Sequence, residues 1–234
     1  MASAIEDLKV GELDFSSIYD QEQAKELNQY YKDGIAYAED IARRIDDTFD
    51  LYEAFKEDKD LIYMPNIDLE KFTNQYRSWQ SCIHLEVFPK IKKSNIESWS
   101  LAFQACFRLK EIEIDLSKAK NINYILYNCY SLRKIKFDDI TNVTSFSSSF
   151  VGLSALQYCF LTKWKQGSIT FPQSSLLLPE SIHYIIQNAL ENVNADGTPT
   201  RTLTLHATAK TNWQNSEYYK QDLAVLPTKG ITIA

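Results

Sequence analysis

The string Cys82-Ile83-His84-Leu85 returns as Cys106-Phe107-Arg108-Leu109 and as Cys129-Tyr130-Ser131-Leu132, and a fourth copy reads Leu153-Ser154-Ala155-Leu156. The steps between copies are 24, 23 and 24 residues. Trp79, Phe103, Leu126 and Phe150, each three residues upstream, keep the same steps. So do Phe88, Ile112, Ile135 and Cys159, each three residues beyond the Leu position. No other feature constrains the chain as much. Copies that share one period in three apolar columns bury those columns best by stacking, each on the next.

Within this frame, Leu109-x-x-Ile112-x-Ile114 and Leu132-x-x-Ile135-x-Phe137 alternate as short strands of a parallel ladder do. The register then sets Glu111 beside Lys134, Glu113 beside Lys136 and Asp115 beside Asp138. Such outward columns can form a charged ligand strip, or simply a solvated ladder whose pairs are worth a few tenths of a kcal/mol each, on the order of ~0.3. A Cys in an inward column is a small buried hydrophobe. The spacings of Cys82, Cys106, Cys129 and Cys159 fit no zinc pattern, which requires close Cys or His pairs. The columns together predict a leucine-rich-repeat solenoid over residues 58–165.

Two stretches carry a family resemblance. Asn142-Val143-Thr144-Ser145-Phe146, continuing to Phe150, Gly152 and Leu156, resembles BspA-type leucine-rich repeats. Asn95-Ile96-Glu97-Ser98-Trp99, continuing to Phe103 and Cys106, repeats the same frame. The resemblance spans about residues 75–165. Repeats of that kind occur in surface proteins of gut and oral bacteria and in structural proteins of their phages. The resemblance therefore implies recognition or assembly.

Beyond Trp164 the period stops. Pro179-Glu180-Ser181-Ile182 opens an apolar-periodic run through Ile185, Ile186, Ala189, Leu190 and Val193, which predicts a helix. Asn194 to Gly197 reads as a turn, Thr202–Leu205 as a strand, 215–225 as a helix and Ile231–Ile233 as a last strand. These predict an α/β C-terminal cap over 166–234. The order also resembles the terminal cap of such proteins, with Lys229-Gly230-Ile231-Thr232 carrying Ile where the family pattern has Trp.

At the other end, residues 20–57 contain no Pro and one Gly. A heptad seam can be laid on Ala24, Asn28, Tyr31, Ile35, Ala38, Ala42, Ile45, Phe49 and Tyr52. That predicts a helix of about 38 residues, roughly 57 Å long. Its partner is either sister helices in a parallel coiled coil, most simply a homotrimer with Asn28 setting register, or the chain's own body. Ile41 and Leu51 widen the stripe, which suits a docked helix. Residues 1–19, with Leu8, Val10, Leu13, Phe15 and Ile18, read as an anchoring segment. The expected organisation is thus 1–57 anchor and long helix, 58–165 solenoid and 166–234 cap.

A net charge of −6 lacks the basic footprint of a nucleic-acid binder. No apolar run is long enough for a membrane span, and no basic and apolar leader opens the chain. Phosphate loops, zinc-protease and nucleophile-elbow patterns are absent. His84, His183 and His206 have no nucleophile nearby in sequence. The acidic clusters Asp46-Asp47, Glu57-Asp58-Asp60 and Asp138-Asp139 read as solvated surface. No catalytic residue, metal ligand or cofactor is expected. Tyr127, Tyr130 and Tyr158 are the candidate ligand-binding aromatics, for a host-surface glycan or protein. The functional expectation is a non-enzymatic phage virion protein, assembled in the host cytoplasm as an appendage or fibre subunit. In that picture residues 1–57 bind other virion proteins and the repeats face outward for host-cell recognition. A bacterial adhesin of BspA type and a cytoplasmic scaffold are the alternatives.

Overall fold

The computed structural model describes residues 21–46, 49–73 and 75–234. Among these residues the regular structure is four α-helices, one short 3-10 turn of helix at Leu69–Lys71 and two small parallel sheets. α1 is Gln21–Arg44. The first sheet holds β1 (Glu111–Asp115), β2 (Lys134–Asp138) and β3 (Tyr158–Leu161) in that order. The second holds β4 (Ile169–Phe171), β5 (Arg201–Leu205) and β6 (Ile231–Ile233). α2 (Pro179–Asn188), α3 (Ala207–Gln214) and α4 (Tyr219–Lys229) belong to the C-terminal region.

This corrects the expected architecture of long helix, leucine-rich-repeat solenoid and α/β cap: no leucine-rich-repeat solenoid is formed. Regular strand is confined to the two three-stranded sheets. Strand needs an unbroken run of donors and alternating side chains. After Leu85 the equivalent stretch contains Pro89, which has no N–H, and only isolated bridges at Tyr63–Val87 and Ile91–Ile114 remain. On the other side, β4 follows β3 too soon to be the next rung. α2 packs on β3 instead, where the Ser181 hydroxyl accepts from the Cys159 N–H and donates to the Gln157 carbonyl, both at 3.1 Å. The first sheet therefore ends at β3. Before β1 and between the strands the chain runs as turns, with Leu101 (φ 62°) and Tyr124 (φ 56°) held in the left-handed region that large side chains seldom adopt.

The apolar columns are nevertheless the core. One continuous buried cluster runs from Ile41 to Ile231. Trp79 stacks on Phe103 with centroids 5.2 Å apart, and Phe150 lies 5.0 Å from Phe171. Each of three thiols donates to a main-chain carbonyl in the preceding layer: Cys82 to Phe55, Cys106 to Trp79 and Cys129 to Phe103. Burial pushes the Cys129 thiol up to about 12 and raises Cys82, Cys106 and Cys159 as well, so all four stay protonated and unreactive. The strand register is as expected, with Glu111 on Lys134, Glu113 on Lys136 and Asp115 on Asp138.

The long helix is also corrected. α1 has 24 residues and stops at Arg44, with Arg43 and Arg44 favourably placed at the negative end of its dipole. Asp46 follows, and a carboxylate is unfavourable there. The chain then turns so that Leu51 and Phe55 enter the core. C-terminally, the helix expected over 215–225 is displaced: α3 ends at Gln214 and α4 begins at Tyr219.

α1 packs on its own chain. Ala38 is fully buried against Ile62 and Tyr63, with Tyr30, Tyr31, Ile35 and Val87 around them. Gly34 permits this approach, because a Cβ there would meet Ile62 Cδ1 at 2.6 Å and Cβ at 3.1 Å. Gly34→Leu is expected to overpack the contact by about 1–3 kcal/mol and to release α1. Amide hydrogen exchange would then accelerate along Gln21–Arg44 while β1–β3 stay protected. Unchanged protection of α1 would show that the helix is held elsewhere.

Candidate functional site

The outward side of the first sheet carries an ordered array of polar groups. Side chains alternate along a strand, so Glu111, Glu113 and Asp115 form one column, Lys134, Lys136 and Asp138 the next, and Tyr158 and Phe160 the third. Acid, base and aromatic thus stand side by side. Lys136 Nζ lies 2.8 Å from Glu113 Oε1 and 3.4 Å from Asp138 Oδ2, and Lys90 reaches Glu113 Oε2 at 3.4 Å. The Lys136 hydrogen bond holds the Glu113 carboxyl below its ordinary range, against the opposing effect of burial. Lys134 and Glu111 are looser, at 3.7 Å.

Where the ladder fails at Pro89, a cleft of about 320 Å³ opens against the edge of β1. Val87, Phe88 and Ile112 line its floor, and Glu86, Lys90, Lys110 and Lys136 stand at its rim. Glu86 is nearly buried and is held by Lys110 at 2.7 Å and Arg108 at 3.7 Å. Arg108 also donates to the Tyr30 hydroxyl of α1 at 3.1 Å, tying the helix to this corner. Every charged group of this first cleft has a partner inside the chain.

A second cleft, of about 420 Å³, adjoins it across Glu111 and Lys134, between β2 and β3. Arg133, Gln157, Tyr158 and Phe160 complete its lining. Tyr158 and Phe160 lie near parallel at 6.4 Å and 19°, and Tyr184 of α2 meets Phe160 edge-on at 5.0 Å. Tyr158 remains 38% exposed. It is therefore a platform open to solvent, backed by two further rings.

The three tyrosines singled out from sequence do not converge. Tyr158 lies in this cleft, Tyr130 stacks on Phe107 at 5.4 Å, and Tyr127 meets Tyr124 edge-on at 5.6 Å. The helix seam is likewise divided. Tyr31, Ile35 and Ala38 serve the contact with Ile62 and Tyr63, and Ile45 and Phe49 pack on the main core. Asn28 is half-buried, and Ala42 and Tyr52 are exposed. Ala24 lies on α1. The seam thus faces the chain's own body along most of its described length. The proposed anchor at residues 1–19 and Asp47 lie outside the described residues.

Several groupings had no signal in sequence. Glu86, Arg108 and Tyr30 come from three distant segments. Arg133 and Gln157 precede their strands by one residue, so a register drawn on the strands alone passes over them. In the C-terminal region Asp222 is fully buried among three donors: His183 Nδ1, Gln187 Nε2 and Trp213 Nε1, each at 2.8 Å. An aspartate holding a histidine in this way is common in catalytic sites. Here the imidazole stacks on the Tyr218 ring at 4.6 Å, and the carboxylate joins α2, α3 and α4.

Among the described residues no group of three or more His, Cys, Asp or Glu is placed to hold a metal ion, and no helix is long and apolar enough to cross a membrane. No family model matches the chain, and no curated protein matches it.

Proposed function

We propose that this chain is a non-enzymatic structural and binding protein of a phage particle, which presents the outward side of its first sheet to a partner. One observation carries the non-catalytic part. Among the described residues the buried thiols, Asp222 and Glu86 are engaged in the chain's own fold, whereas the outward columns of the sheet are in register and Tyr158 is open to solvent. Three of the four thiols bond to carbonyls and Cys159 is buried, Asp222 bonds to three donors and Glu86 to two cations. A surface built on short parallel strands with a closed outer edge keeps its side chains in place, which favours recognition without reorganisation. The assignment to a particle rests on the resemblance of Asn142–Leu156 to BspA-type repeats, which occur in phage structural proteins as well as in bacterial surface proteins.

Mass spectrometry of purified particles tests the assignment. The chain is expected there in constant ratio to the major capsid protein through successive density gradients. Its absence from such particles, with abundance in the infected-cell lysate, would sink the virion reading.

A further inference from the structure

The two clefts of the sheet surface differ in one respect that bears on ligands. In the first, Glu86, Glu113, Lys90, Lys110 and Lys136 are all in ion pairs. A ligand entering there must break one, and burying what remains would cost more than it returns. In the second, three of the five polar side chains are spare, and the other two, Glu111 and Lys134, pair loosely with each other. The Arg133 guanidinium, the Gln157 carboxamide and the Tyr158 hydroxyl make no side-chain hydrogen bond or ion pair among the described residues, and Lys134 has only the loose contact with Glu111.

The chemistry of this set is selective. An exposed ring with an electron-rich face attracts the weakly positive C–H hydrogens on one side of a sugar ring, and the Tyr158 ring lies beside Phe160, which Tyr184 in turn meets edge-on. A carboxamide and a phenol suit hydroxyl groups, since each both donates and accepts. A free guanidinium presents two parallel N–H groups, which match a carboxylate. The volume, about 420 Å³, is at the small end of ligand sites and suits a few rings, not a folded surface. We propose that the cleft between β2 and β3 binds an acidic saccharide, with Tyr158 under a sugar ring, Arg133 on its carboxylate and Gln157 on its hydroxyls. This site goes beyond the particle assignment and does not require it, because binding can be measured on the isolated chain whatever particle it joins.

The test is an NMR titration of the full chain with tetragalacturonate, a hyaluronan tetrasaccharide and sialyllactose, each to about 10 mM. Neutral comparators are methyl-esterified tetragalacturonate and lactose, and tetraglutamate stands for an acidic peptide. At least one acidic sugar is expected to shift the amides around Arg133, Gln157, Tyr158 and Phe160 and to saturate. Arg133→Ala is expected to weaken that sugar about tenfold, to the level of its neutral comparator, and Tyr158→Ala to weaken both forms. Lys90→Ala, in the neighbouring cleft, should leave binding unchanged. Three results overturn the proposal: no saturable shift with any acidic sugar, equal binding of acidic and neutral forms, or tetraglutamate binding as well as the sugars. A chain that binds acidic sugar but is absent from particles would retain this site and lose the virion assignment.

Discussion

Asp222→Ala is expected to lower the unfolding free energy by about 3–5 kcal/mol, the range for stripping a buried charge-assisted cluster of its central acceptor. The carboxylate is fully buried and takes the N–H groups of His183, Gln187 and Trp213, each at 2.8 Å. An ionised carboxylate only accepts, so His183 carries its proton on Nδ1. Removing the acceptor leaves donors from α2 and α3 without a partner in a space that α4 had filled. Asp222→Asn is expected to cost roughly half as much, about 2 kcal/mol, because its oxygen still serves two donors while its amide group meets the Trp213 N–H. Chemical denaturation followed by tryptophan fluorescence reads both. A loss below about 1 kcal/mol for the alanine variant would mean that water replaces the carboxylate and that the cluster is not what joins the three helices.

Gly230→Ala is expected to be comparably severe, at about 3 kcal/mol or more. Gly230 ends α4 in the left-handed conformation (φ 65°, ψ 39°), where its N–H caps the Leu226 and Pro227 carbonyls. Backbone preference alone would account for about 1–2 kcal/mol. The larger part is steric, since a Cβ would lie 1.8 Å from the Asn192 carbonyl oxygen, which is main chain and cannot swing aside. The Gly230 carbonyl also receives the N–H groups of Thr200 and Arg201, so a shift there passes into β5. It would disturb the Arg201 guanidinium too, which sits over Trp164 and donates to the Lys165, Leu190 and Lys229 carbonyls. Gly197→Ala is the matching control. Its φ is similar, at 80°, but nothing lies within 4 Å, so about 1 kcal/mol is expected. Equal melting temperatures for the two variants would show that the close contact with Asn192 relaxes freely.

Neither position could be ranked from sequence. Gly197 sits in a stretch that reads as a turn and Gly230 just before the last strand, so each is a glycine where a glycine is ordinary. The difference between them is the distance to Asn192, which is a property of the packed chain. Asp222 has the same character: its neighbours in sequence are Gln221 and Leu223, and nothing local marks it as buried.

The 23–24-residue period by itself determined which side chains between Trp79 and Cys159 are core and in what register β1, β2 and β3 pair, because it is a direct count of apolar columns. It did not determine that a leucine-rich-repeat solenoid would result. Column spacing is satisfied equally by strand and by turn, and the choice fell to local features: the missing donor at Pro89 and the early arrival of α2 on β3. The helical period of residues 20–57 determined an amphipathic helix but neither its end nor its partner. Those were decided by Gly34, which allows the helix to approach Ile62, and by Leu51 and Phe55, which lie buried where the helix would otherwise continue. For the candidate site, sequence located Tyr158 and the Glu–Lys columns. The tertiary structure alone separated the cleft whose charges are spent from the one whose donors are spare. Burial and pairing are set by groups brought together from distant segments, and no spacing along the chain encodes them.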